Sequence, residues 1–77
     1  MNNKLKKKLQ RDQFAEKLIG IAPNVSEKDK SDCKEFYKYS QVTVWRYLNG
    51  QGVDPSIAYN IYTFLLAKIE ERNKVLA

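Results

Sequence analysis

The sequence predicts an all-α domain of four helices, the last of them long. Three observations lead there. Apolar residues recur at three- and four-residue spacings, and no stretch alternates with the period of two that a half-buried strand needs. Capping and breaking residues punctuate the chain at Gly20 and Pro23, Ser26, Ser40, Gly50, and Asp54 with Pro55. Beyond Pro55 neither Gly nor Pro interrupts the helical pattern. Seventy-seven residues make one small domain. A chain of that size has a modest core and often relies on a partner or a second copy of itself. There is no internal repeat.

A first helix is expected from about Leu5 or Leu9 to Ile19, with Phe14, Ala15, Leu18 and Ile19 forming its dense apolar face. Gly20 reads as its C-cap, and Pro23 prevents continuation. Residues Ile21 to Asn24 form a connection whose apolar side chains pack back on the core. Ser26 with Asp29 is a weaker form of the capping box, which normally carries Glu or Gln at its third position. A second helix follows between Ser26 and Tyr37, with Cys33, Phe36 and Tyr37 facing inward. Its opening, EKDKSD, is polar throughout and suits a loop as well as a helix. The third helix is the best specified, within SQVTVWRYLNG from Ser40 to Gly50. Ser40 caps its start and Gly50 can take the left-handed conformation at its end. Val44, Tyr47 and Leu48 share one face, while Val42, Arg46 and Asn49 point the other way. Gln51 to Val53 make a turn, Asp54 caps the last helix, and Pro55 occupies its first turn. That helix runs to Arg72 or beyond. Its Ile57, Ala58, Ile61, Tyr62, Phe64, Leu65, Leu66 and Ile69 occupy more than one face. Either neighbouring helices bury it on two sides or a partner subunit covers the excess.

Composition excludes several classes. With no histidine and one cysteine, Cys33, the chain offers no intramolecular disulfide and no ordinary zinc site. Cys33 reads as a small core residue. There is no activated-cysteine arrangement, no phosphate-cradling glycine loop and no carboxylate constellation, so an enzyme is not expected, nor a cofactor. No apolar run approaches the ~20 residues of a membrane span, and no apolar segment follows the basic N-terminus, which makes a cytoplasmic protein the expectation. The net charge is +5, and Lys4, Lys6, Lys7, Lys8 and Arg11 account for all of it. From Asp12 onward nine basic and nine acidic residues balance. Residues 1–8 therefore read as a basic arm or the start of the first helix, and 9–77 as the domain. Such an arm suits DNA phosphates or the minor groove, or serves solubility alone.

SQVTVWRYLNG resembles the recognition helix of the lactose-repressor and phage-repressor (Cro-like) type of helix-turn-helix domain, whose pattern runs Ser-x-x-Thr-Val-x-Arg-x-Leu-Asn-Gly. Ser40, Thr43, Val44, Arg46, Leu48, Asn49 and Gly50 fall on it, and VDPSIAYNIYTFL resembles the helix that follows. In that family the preceding helix carries a small residue, usually Ala, and the turn a Gly. Counting back from Val44 places Lys34 and Lys38 at those positions. A buried lysine is unfavourable unless paired, so a slip of one residue is expected, with Cys33 in the small site and the turn one residue longer or irregular.

The resemblance implies that the first residues of this helix, and one in its next turn, reach base edges in the major groove. Those are Gln41, Val42 and Arg46. Gln bonds adenine, Arg bonds the O6 and N7 of guanine, and Val touches a thymine methyl. Tyr39, Ser40, Thr43 and Asn49 would contact phosphates, as would Lys4, Lys6, Lys7 and Lys8. The amides of Gly50 to Gly52 are further candidates. Trp45 packs over the preceding helix or lies against the DNA backbone. The many aromatics read as core and rim rather than as a platform for single-stranded bases. The expected function is sequence-specific binding of double-stranded DNA by a small prokaryotic or phage-type transcriptional regulator. It would act as a homodimer through the C-terminal helix, with no small-molecule ligand. A helix-turn-helix protein-interaction module without DNA binding, and a recombination or excision accessory factor, are the alternatives.

Overall fold

Helices account for most of the chain over residues 14–76, the part that the computed structural model describes, with side chains through residue 74. Helix α1 covers residues 14–21, α2 Glu27–Tyr37, α3 Gln41–Leu48 and α4 Pro55–Leu76. No strand occurs among the described residues, so the all-α class and the long last helix are as the sequence predicts. No helix there is long and apolar enough to cross a membrane.

The end of α1 differs from expectation. Gly20 lies inside the helix and has no left-handed backbone, so it is not the C-cap. The helix runs to residue 21 and passes into a 3-10 turn, Ala22–Asn24, containing Pro23. Pro23, which lacks an N–H, tightens and ends the helix without any left-handed residue. Ile21, Ala22 and Val25 pack back on the core, as the sequence suggests.

The polar opening of α2 is helical, and the reason lies partly outside it. Both halves of the capping box form. Asp29 N–H donates to Ser26 Oγ, and Ser26 N–H donates to Asp29 Oδ2, each at 3.1 Å. Asp29 is buried, and the Arg72 guanidinium near the end of α4 donates to the same Oδ2 at 2.8 Å. Arg72 also donates to the Asn24 carbonyl. Burial alone would raise the Asp29 pKa, but the bonds from Arg72 and Ser26 outweigh it and hold the carboxyl below its usual range. One turn on, Lys68 pairs with Asp32 at 3.3 Å. Charge thus fastens a helix start that has no apolar residue of its own.

The core gathers around α4, where Ile61 and Leu65 are fully buried among Leu18, Cys33, Val44 and Leu48. Each large aliphatic side chain there contributes on the order of 2 kcal/mol. Cys33 is a core residue as expected, and burial pushes its thiol up to about 11. The chain's own helices bury Ala58, Ile61, Leu65 and Ile69 of α4 and leave Ile57, Tyr62, Phe64 and Leu66 half-buried. Phe14 of α1 meets Tyr59 and Tyr62 with ring centroids 5.9 and 6.2 Å away. Phe36 and Tyr37 of α2 meet Phe64 on the other side, at 5.3 and 6.0 Å. Phe36 itself is not an inward residue, being 67% exposed. The inward line of α2 runs through buried Asp29 and Cys33 to half-buried Tyr37 at four-residue steps, which leaves Phe36 on the rim.

Candidate nucleic-acid interface

Helices α2 and α3 are joined by three residues, Lys38, Tyr39 and Ser40. Lys38 adopts the left-handed conformation (φ 62°, ψ 34°), and Tyr39 N–H closes back on the Lys34 carbonyl at 3.0 Å. A lysine therefore performs the turn that glycine would make, at a strain of about 1 kcal/mol. Lys38 is thus the turn residue that counting back from Val44 indicates, while Cys33, not Lys34, is the fully buried residue. Cys33 goes to the core. Lys34 stays half-buried and lines a groove between α2 and α3 with Lys30, Gln41 and Trp45. Its aliphatic stem can cover apolar surface while the ammonium keeps water, so no buried charge has to be paired.

Both ends of α3 are fixed. At its start Ser40 Oγ accepts the Thr43 N–H at 3.1 Å and lies 2.9 Å from Thr43 Oγ1. Tyr39, next to it, stacks on Tyr37 and accepts a hydrogen bond from Asn60 Nδ2 of α4 at 3.2 Å. Val44, Tyr47 and Leu48 seat the helix in the core. At its end Gly50 is left-handed (φ 74°), its N–H donating to the Tyr47 carbonyl and that of Gln51 to the Arg46 carbonyl. This is the Schellman arrangement. It commits the amides of Gly50 and Gln51, which the sequence nominated for a phosphate, to ending the helix instead. Asn49 shares that role through one amide hydrogen, donated to the Trp45 carbonyl at 2.8 Å. Tyr47 then ties α3 to α4. Its hydroxyl accepts the Asp54 N–H at 2.9 Å, and its ring lies where a Cβ on Gly52 would sit. Asp54 Oδ1 in turn caps α4 through the Ser56 N–H.

What α3 presents outward is Val42, Arg46 and Asn49, all exposed, with exposed Gln41 and Trp45 on the flank facing α2. Arg46 takes part in none of the ion pairs among the described residues. Tyr39 and Thr43 are half-buried and Ser40 is exposed, so all the candidate residues from Tyr39 to Asn49 lie on or beside one short helix. Lys4, Lys6, Lys7 and Lys8 lie outside the described residues. Sequence reasoning does not single out Lys30 and Lys34 as a pair, though their four-residue spacing puts them on one stripe of α2.

Fold and site together define an all-α domain that displays one short helix, capped at both ends, on a three-residue turn. No family model, curated protein or solved structure matches the chain.

Proposed function

We propose that this chain binds double-stranded DNA with α3 in the major groove, as a small transcriptional regulator of prokaryotic or phage type. One observation carries the proposal. The face formed by Val42, Arg46 and Asn49 is exposed on a helix held rigidly at both ends. Preorganised polar groups on a narrow helix are what base reading requires. Arg46 and Gln41 supply the hydrogen bonds to bases and Val42 the apolar contact. Tyr39, Ser40 and Thr43, at the positive end of the helix, face a phosphate, with Asn49 at the far end. Lys34 adds charge on the α2 side. The lysines of residues 1–8 neutralise further phosphates. A single small module binds weakly, and pairing two copies on two half-sites about one helical turn apart restores affinity. Ile57, Tyr62, Phe64 and Leu66 of α4 stay half-buried within the chain, which leaves that helix partly available to a second copy.

Selection from a randomised duplex library tests this directly. Enrichment of one motif at about physiological salt is the expected result. Absence of enrichment, together with no binding at low salt, would refute it. In that case Val42 and Trp45, 59% and 56% exposed on the same helix, favour the protein-interaction module instead.

A further inference from the structure

Phe36 stands apart from the interface just described. It is 67% exposed at the C-terminal end of α2. Its ring does not hang free: it meets Tyr37 edge-on at 4.8 Å and tilts onto Phe64 of α4 at 5.3 Å. The result is a small aromatic surface with a fixed shape. Its rim carries both signs of charge, Asp32 and Glu35 with Lys38 and Lys68. Lys68 is already engaged, 3.3 Å from Asp32 and 5.6 Å above the Phe64 ring. Glu35 and Lys38 flank Phe36 along the chain, and none of the ion pairs among the described residues uses either.

We propose that a second copy of this chain docks on the Phe36 surface about a two-fold axis, Glu35 of each copy facing Lys38 of the other. The proposal rests on the dimeric form of the DNA-binding reading, but its test needs no DNA. Two-fold rotation brings a patch onto itself, so a patch bearing one acid and one base beside a central aromatic complements its own copy. A nucleic acid or a uniformly charged partner would meet repulsion from one half of that rim. Size sets the strength. The surface is one exposed aromatic with four charged residues around it, far fewer than the roughly 20–30 residues a side of a standard interface. The dimer is accordingly weak in free solution, and adjacent half-sites on one duplex reinforce it through effective concentration.

Sedimentation equilibrium of the full chain without DNA, from about 10 µM to 1 mM, reads the association directly. The expected result is a reversible monomer–dimer equilibrium that Phe36→Ser weakens by about tenfold or more, as a central aromatic anchor should. Glu35→Lys and Lys38→Glu should each weaken it. The double variant E35K/K38E should recover the parent constant within roughly a factor of two, because the exchanged charges pair again. All these positions are exposed, and circular dichroism verifies that each variant is folded. A chain monomeric throughout would overturn the proposal, as would a dimer indifferent to Phe36→Ser or a double variant no better than the single ones. A dimer with these properties that fails to bind DNA sinks the functional reading alone. Specific DNA binding by a strict monomer sinks this one alone.

Discussion

Arg72→Met tests how the polar start of α2 is kept helical. The substitution removes the guanidinium 2.8 Å from Asp29 Oδ2 and leaves a carboxylate whose side chain is 8% exposed. At an effective dielectric near 20, charges about 4 Å apart attract by about 4 kcal/mol before desolvation is counted. Exposed pairs return roughly 0.2–1 kcal/mol and breaking a fully buried pair costs about 3–5. Arg72 is 41% exposed, so the loss should fall between these ranges, at about 2 kcal/mol. For a domain this small that is a fall in Tm of about 8–16 °C. Asp29→Asn and the double variant complete a cycle in urea at pH 7, where a coupling of about 1–2 kcal/mol is expected. Acid supplies a second readout. The Asp29 carboxyl titrates below its usual range in the folded chain, so its contribution is fully present above the unfolded pKa of about 4. It fades as pH falls through the lower folded value. The gap between the parent and Asp29→Asn should therefore close below about pH 4. A coupling under about 0.3 kcal/mol at neutral pH, or one unchanged in acid, would refute the reasoning.

Lys38→Gly should stabilise the chain by no more than about 0.5 kcal/mol, since relief of about 1 kcal/mol of left-handed strain is largely offset by the entropy lost by glycine; urea midpoints read it, and a loss above about 1 kcal/mol would contradict the strain account. Gly52→Ala should cost about 2 kcal/mol or more, because its Cβ would fall 2.0 Å from ring atoms of the buried Tyr47. A loss below roughly 0.5 kcal/mol would mean that the ring can move aside. Arg46→Ala should leave the urea midpoint unchanged within about 0.5 kcal/mol while costing about 1–3 kcal/mol of affinity for the selected duplex and relaxing preference at one base. Equal loss on all sequences would reassign Arg46 to a phosphate. Deleting residues 1–8 should weaken binding to every duplex alike and flatten the salt slope by about 0.9 for each phosphate no longer neutralised; an unchanged slope measured by titration across salt concentrations would remove the arm from the proposal.

Helix α3 was legible residue by residue, because everything that defines it is local. Ser40 caps a group three residues on, Gly50 closes on the preceding turn, and the 3.6-residue period separates Val44, Tyr47 and Leu48 from Val42, Arg46 and Asn49. The start of α4 at Asp54 and Pro55 was legible for the same reason. The opening of α2 was ambiguous, since Arg72 lies 43 residues from Asp29 and no local pattern records that pairing. Gly20 misled because glycine permits a left-handed end without requiring one, and Pro23 made the stop. Lys38 misled in the opposite sense: the turn uses a left-handed residue, and a lysine supplies it where glycine would be the unstrained choice. Periodicity also marked the apolar faces of α4 without saying what would cover them. Local capping and periodicity determined α3, its outward face and the start of α4. Only the tertiary structure decided that α1 and α2 cover α4, that Tyr47 braces the turn beneath Gly52, and that Phe36 is left in solvent, because those outcomes depend on which distant side chains arrive to fill the same space.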